Sequence, residues 1–205
     1  GVGANTGDRR VGTIGRFSIV GMEPDGIITA GGGALLLACA RADRTRLQQA
    51  ADAMPRDVLL PDMNAALGLT QVKELERFVS RRSELAAVFA RAVSRGKHSI
   101  LFQPRDAENI HFSFPVVLSG PVSEVSGYAR KKGVEAELAF TSSVLSLHGT
   151  LDRSDTEEEA TNEAPAEAEF PEARRLLLRC LLFPLFPALS GSEAATVERV
   201  LSTLP

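Results

Sequence analysis

Apolar residues change their spacing several times along this chain, and each change predicts an element. Residues 1–15 are rich in glycine and turn formers, show little periodicity, and read as loop. Residues 16–20 make a short apolar strand and residues 27–29 a second extended piece. Gly31-Gly32-Gly33 then leads into residues 34–38 (ALLLA), an unbroken apolar run that predicts a buried strand. Residues 45–54 have helix-forming composition, and Pro55 ends them. From Asp62 onward Met63, Leu67, Leu69, Val72, Leu75 and Phe78 recur at helical spacing, and the pattern resumes through Leu85, Val88, Phe89 and Val93. One long helix is therefore predicted over about 62–95, with Gly96 as its stop.

The second half has a different rhythm. Residues 111–118 (HFSFPVVL) predict a strand in which Pro115 marks an edge or a bulge. Residues 121–132 read as a helix closed by Gly133, and residues 134–140 alternate as a strand does. Residues 172–180 predict a helix and residues 181–187 an extended piece held by prolines. Residues 192–204 predict an amphipathic helix, with Ser190 or Ser192 as its N-cap. The order is α/β first and α+β afterwards.

Composition narrows the function. At 205 residues, with 44% hydrophobic and 24% charged residues, the chain has room for one large domain or two small ones. A net charge of −3 argues against a nucleic-acid surface. The charge is uneven: residues 152–169 hold eight acids and one arginine, which predicts a solvated acidic loop. Cys39 and Cys180 sit in apolar surroundings and are read as buried free thiols of a reducing compartment, hence a cytoplasmic location. No secretory leader pattern is visible, and the apolar runs are too short to span a bilayer, so no membrane partner is expected. His98, His111 and His148 show no metal-type spacing with either cysteine, and no metal site is expected. Gly1-x-Gly3-x-x-x-Gly7 lacks the preceding strand that a dinucleotide loop needs.

Several motifs fall in one order. They are Gly12-Thr13-Ile14-Gly15 followed by Phe17-Ser18 and the glycine triplet, then Asp62-Met63-Asn64-Ala65-Ala66-Leu67-Gly68-Leu69-Thr70-Gln71. Arg81-Arg82, Gly133-Val134-Glu135, Phe170-Pro171-Glu172-Ala173 and the run Phe183-Pro184-Leu185-Phe186-Pro187 complete the series. Together they resemble the DegT/StrS family of sugar aminotransferases, fold-type-I pyridoxal-phosphate enzymes that aminate keto-sugar nucleotides. The resemblance implies an α/β fold, the C-terminal portion of a fold-type-I transferase. Residues 1–80 would be a remnant of the large domain, residues about 62–95 the linking helix, and residues 96–205 a small α+β domain with the acidic loop 152–169. It begins about midway through a typical member.

Residue by residue, the resemblance puts Ser18 at the serine that contacts the cofactor phosphate. It puts Glu23 at the Schiff-base lysine, or Asp25 if the loop is realigned. Neither is an amine, no lysine stands before Lys73, and Lys73 reads as a solvated helix charge. A carboxylate forms no imine with an aldehyde cofactor. The family's Tyr-Asn-x-Arg stretch, which reaches the cofactor phosphate, has Asp57 and Leu59 at its asparagine and arginine positions, so a charge-assisted pair is missing. The family's substrate-side histidine falls near Val144, with His148 close by. The resemblance thus implies a catalytically inactive relative that binds no cofactor itself, serving as a scaffold or regulatory partner in a homodimer or a heteromer with a related chain. The alternative is the C-terminal fragment of a split aminotransferase or dehydratase acting on nucleotide sugars, active only with its N-terminal half. In it Glu23 would serve as a general base.

Overall fold

The computed structural model describes residues 2–101, 107–144, 146 and 170–205. The acidic stretch 152–169 and His148 lie outside the described residues. The chain divides into two units, residues 2–85 with 107–112, and residues 86–101 with the described residues from 113 onward.

In the first unit the predicted N-terminal loop is a small sheet. β1 (Asn5–Thr6) pairs antiparallel with β2 (Arg9–Arg10) and with β6 (Ala107–Glu108). Two-residue strands carry no period, which is why the sequence reads as loop there. β3 (Phe17–Gly21) pairs antiparallel with β4 (Ala34–Ala38) in the register Phe17↔Ala38 to Gly21↔Ala34. Residues 27–29 form a bend instead of an extended piece. The loop between the strands closes on itself through Met22 N–H to Gly33 O, Ala30 N–H to Met22 O and Gly32 N–H to Met22 O, at 2.9, 3.1 and 2.9 Å. Met22, Ile28 and Ala30 are the buried core of this unit, and Val20, Leu35, Leu60 and Leu75 pack against them. α1 (Arg41–Asp52) packs on β4.

Two expectations fail here for one reason. β4 is a strand as predicted, but Leu36 and Leu37 are exposed instead of buried. Cys39, just after it, is exposed as well, while Cys180 is buried; both are free thiols. An apolar run states what a segment prefers, whereas burial needs something to cover it. The helix expected over 62–95 is two helices. α2 (Asp62–Lys73) stops at Glu74, whose N–H bonds to Gln71 O, three residues back, at 3.1 Å. Thr70 takes the Ala66 carbonyl with its hydroxyl at 3.0 Å, a contact that bends helices. α3 (Leu75–Val93) follows, and Gly96 closes its end by donating to Val93 O. On α2 the periodic residues Met63, Leu67, Leu69 and Val72 are exposed, and Gly68 is the buried one.

The second unit holds an antiparallel sheet in the order β5 (Ser99–Ile100), β7 (Phe114–Val117), β9 (Cys180–Phe183), β8 (Glu137–Leu138). Alternation sends Phe114 and Val116 inward, and Phe89 meets Phe114 edge to face at 5.5 Å. β7 is an inner strand, yet β5 covers only Val116 and Val117, so Pro115 has β9 alone as neighbour and sits at a local edge. The alternation at 134–140 yields strand at Glu137–Leu138 only. α4 (Val122–Lys131) ends before Gly133, whose φ of +80° suits glycine. α5 (Pro171–Arg179) leads directly into β9. α6 (Gly191–Ser202) is capped by Ser190, which exchanges bonds with Glu193 in a capping box. His98 is buried, accepts the Ser119 N–H on Nδ1 at 3.2 Å, and so donates from Nε2 to Pro205 O at 3.0 Å.

Candidate functional site

The site that the motifs predict lies in the first unit, on β3 and the loop after it. Glu23 is exposed, and its carboxylate folds back over the end of β3, where a Cβ built on Gly21 would fall on it. Among the described residues that carboxylate makes no hydrogen bond or ion pair. It borders an open cleft of about 280 Å³ walled by Val11, Ile19, Ile28, Ile110 and Phe112. Side chains alternate across a strand, so Ser18 and Val20 share one face of β3, and Phe17, Ile19 and Gly21 the other. The Glu23 carboxylate lies on the Gly21 side. The structure therefore sets Ser18 and Glu23 on opposite faces. The Ser18 hydroxyl has no hydrogen-bond partner among the described residues, and its neighbour is Gly12, held at a φ of +95°. Asp25 is exposed in the turn after Glu23.

The far wall of the cleft depends on Arg82. This side chain is 6% exposed and donates from one terminal nitrogen to His111 O and Phe112 O at 3.1 and 2.9 Å. Those two carbonyls belong to a turn in which His111 adopts a φ of +49° and donates its N–H to Asn109 Oδ1. Burial pushes the His111 imidazole below its ordinary value. A guanidinium with several fixed donors suits this task, because it satisfies two carbonyls at once. The Arg81-Arg82 match thus has a structural role in its second residue.

The motif of α2 also proves to be framework. Asn64 Nδ2 donates to Ala30 O at 2.5 Å. One turn later Gly68 lets the helix come close to Met22, whose sulfur would lie 3.1 Å from a Cβ at that position. Asn64 and Gly68 are four residues apart and share a helix face, so both hold the Met22–Ala30 loop that follows Glu23's strand. Their spacing is the signal in the sequence; their target could not be read there. Asp57 and Leu59, which the resemblance sets in a phosphate-contacting stretch, are exposed in and just after a 3-10 turn at Arg56–Val58. Val144 is exposed. Among the described residues no three His, Cys, Asp or Glu side chains form a metal cluster, and no helix is long and apolar enough to cross a membrane.

An α/β hairpin unit followed by a four-stranded α+β unit, with a glycine-rich loop pinned to a helix between them in sequence, is part of a fold-type-I transferase architecture. Residues 1–204 match the model of the DegT/DnrJ/EryC1/StrS aminotransferase family, and the chain belongs to that family. Solved structures agree on the fold. Spr1654 from Streptococcus pneumoniae, assigned as a sugar aminotransferase and solved in a PLP form, is 15% identical with a TM-score of 0.75, over 98% of this chain and 54% of its own. DesV of S. venezuelae is 19% identical at a TM-score of 0.75, again over 98% and 54%. The aminotransferase TlmJ from Streptoalloteichus hindustanus is 20% identical at 0.73, over 97% and 54%. The chain thus spans about half the length of these relatives. No curated protein sequence matches it.

Proposed function

We propose that this chain is a family member that keeps the framework of the aminotransferase fold without its covalent cofactor chemistry, and that it serves as a scaffold or regulatory partner of a related chain. One observation carries the reading: Glu23 stands where the Schiff-base lysine is expected, with its carboxylate laid against Gly21. The residues present do not fit pyridoxal phosphate as a covalent adduct. A carboxylate offers no amine, no lysine precedes Lys73, and the cleft beside Glu23 is walled by aliphatic and aromatic groups instead of cations that would hold a phosphate. Asp57 and Leu59 add to the loss. By contrast Asn64, Gly68 and Arg82, whose contacts join elements of the fold, are present. The experiment is a visible spectrum with excess pyridoxal phosphate, before and after borohydride. No reducible band is expected; a reducible band would overturn the reading.

The share of relatives covered, 54%, favours a second reading. In it the chain is one part of an aminotransferase or dehydratase acting on nucleotide sugars and works only when joined by the rest of the fold, with Glu23 as a general base. Turnover of a keto-sugar nucleotide by the assembled protein, lost in Glu23→Gln, would establish it. Absence of turnover in a stable assembly would dismiss it.

A further inference from the structure

Two stretches that the cofactor position leaves unused, Gly133-Val134-Glu135 and the run from Phe183 to Pro187, meet in the second unit at one cleft. It holds about 670 Å³, within the range of small-molecule sites. One wall is the end of α4. Gly133 N–H donates to Arg130 O and Val134 N–H to Ala129 O, both at 3.0 Å, a helix-closing pattern that Gly133 allows through its φ of +80°. The other wall is the connection from β9 to α6, where Leu189 N–H donates to Phe186 O at 3.2 Å. Local bonds thus fix both walls before anything binds. Val134, Leu189 and Val197 are buried and give the cleft an apolar floor, and the Phe186 ring is 43% exposed beside it. The charges differ in what they have left to do. Arg130 and Lys132 line the cleft and make no ion pair among the described residues; Lys132 lies over the Tyr128 ring at 5.8 Å. Glu193 is already engaged, because one of its oxygens accepts the Ser190 N–H and hydroxyl at 2.8 and 2.7 Å in the first turn of α6, where the helix dipole favours a carboxylate. Glu135 is the other acid of the lining. Two cations against one uncommitted carboxylate leave a surplus of one positive charge beside an apolar floor.

We propose that this cleft binds a small monocarboxylate with an apolar body, its carboxylate held by Arg130 and Lys132 and its body lying on Phe186, Val134 and Val197. Charge complementarity selects the occupant. A carboxylate matches the surplus charge and takes charge-assisted hydrogen bonds from both cations. A phosphate monoester carries nearly two negative charges at neutral pH and would face Glu135 with the second. An ammonium compound would face Arg130 and Lys132. A polar anion without an apolar body would leave the floor wet and gain nothing from it. No residue of this cleft lies in the first unit, so binding here is independent of the cofactor position on β3.

The test is an amide NMR titration of the whole chain at neutral pH with hydrocinnamate, run beside phenylpropylamine and phenyl phosphate. Hydrocinnamate should shift the amides of Val134, Thr196 and Val197 and saturate with a Kd of about 1 mM, ordinary for a ligand of its size. The double variant Arg130→Gln, Lys132→Gln should weaken that binding roughly tenfold. The amide signals of Val116 and Leu181 should stay in place in that variant, which shows that the sheet of the second unit still folds. Glu135→Gln should keep hydrocinnamate bound and improve phenyl phosphate, a change that loss of packing would not produce. Equal binding of phenylpropylamine would overturn the proposal, since it would report an apolar groove without charge preference. So would no saturation by hydrocinnamate below about 10 mM, or a Kd that the double variant leaves unchanged.

Discussion

At the scale of single residues, the positions that hold the fold together can be told from those to which the resemblance assigns chemistry. The resemblance sets Glu23 at a position that calls for an amine, Asp57 at one that calls for an amide and Leu59 at one that calls for a cation. Asn64, Gly68 and Arg82 occupy positions whose value lies in a hydrogen bond or a close approach. The second set makes contacts that the fold displays. Arg82→Ala leaves the carbonyls of His111 and Phe112 without their charged donor in a half-exposed turn. It should lower stability by about 3 kcal/mol in urea unfolding. The two cysteines give a second check. Burial raises the Cys180 thiol to about 11, so at neutral pH it is protonated and covered. Ellman's reagent should therefore titrate one thiol, Cys39, in the native protein and a second only after denaturation. The sequence could not separate the two, because both lie in apolar stretches and only the fold decides which stretch is covered.

Among the elements, local signals were legible and distant ones were not. α4 ends at Gly133 and α6 begins at Ser190 as the sequence predicts, since caps and stops act within four residues. The break at Glu74 escaped because an apolar period continues across it. The outward position of Met63, Leu67, Leu69 and Val72 escaped for a related reason: periodicity names a face without naming what lies on it. The tie between α2 and the loop after β3 was visible only as a motif. Asn64→Ala removes the bond to Ala30 O and should cost about 1 kcal/mol. Gly68→Leu forces side-chain bulk against Met22 and should cost about 2 kcal/mol. Both should speed exchange of the Met22, Ala30 and Gly32 amides, whose bonds close that loop, before they affect the second unit.

For the whole molecule, pH acts on each unit through a histidine that burial holds below its ordinary value. Burial first, opposed by the bond to Pro205 and aided by Lys97, holds His98 below its ordinary 6.5. The fold thus favours neutral His98, and the stability this gives is complete above pH 6.5 and lost as pH falls through the lowered value. In the first unit the hydrogen bond from Arg16 holds Asp43 below its ordinary 3.8. That contribution is present above 3.8 and lost only in stronger acid. Burial lowers His111 in the first unit in the same sense, so thermal melting against pH should show both units weakening as pH falls below 6.5, and His98→Gln should remove the second unit's share while leaving that of His111 and the acid limb of Asp43. The α/β order of the chain was legible from periodicity. The exposure of Leu36 and Leu37 was not, since only three-dimensional packing reveals bare faces. The central claim, a family framework without covalent cofactor chemistry, is tested most directly by adding pyridoxal phosphate, reducing with borohydride and weighing the intact protein. The account predicts no saturable aldimine-type band and only substoichiometric mass spread over the amines of Gly1, Lys73, Lys97, Lys131 and Lys132; a saturable band with one reduced cofactor on a single amine would contradict it.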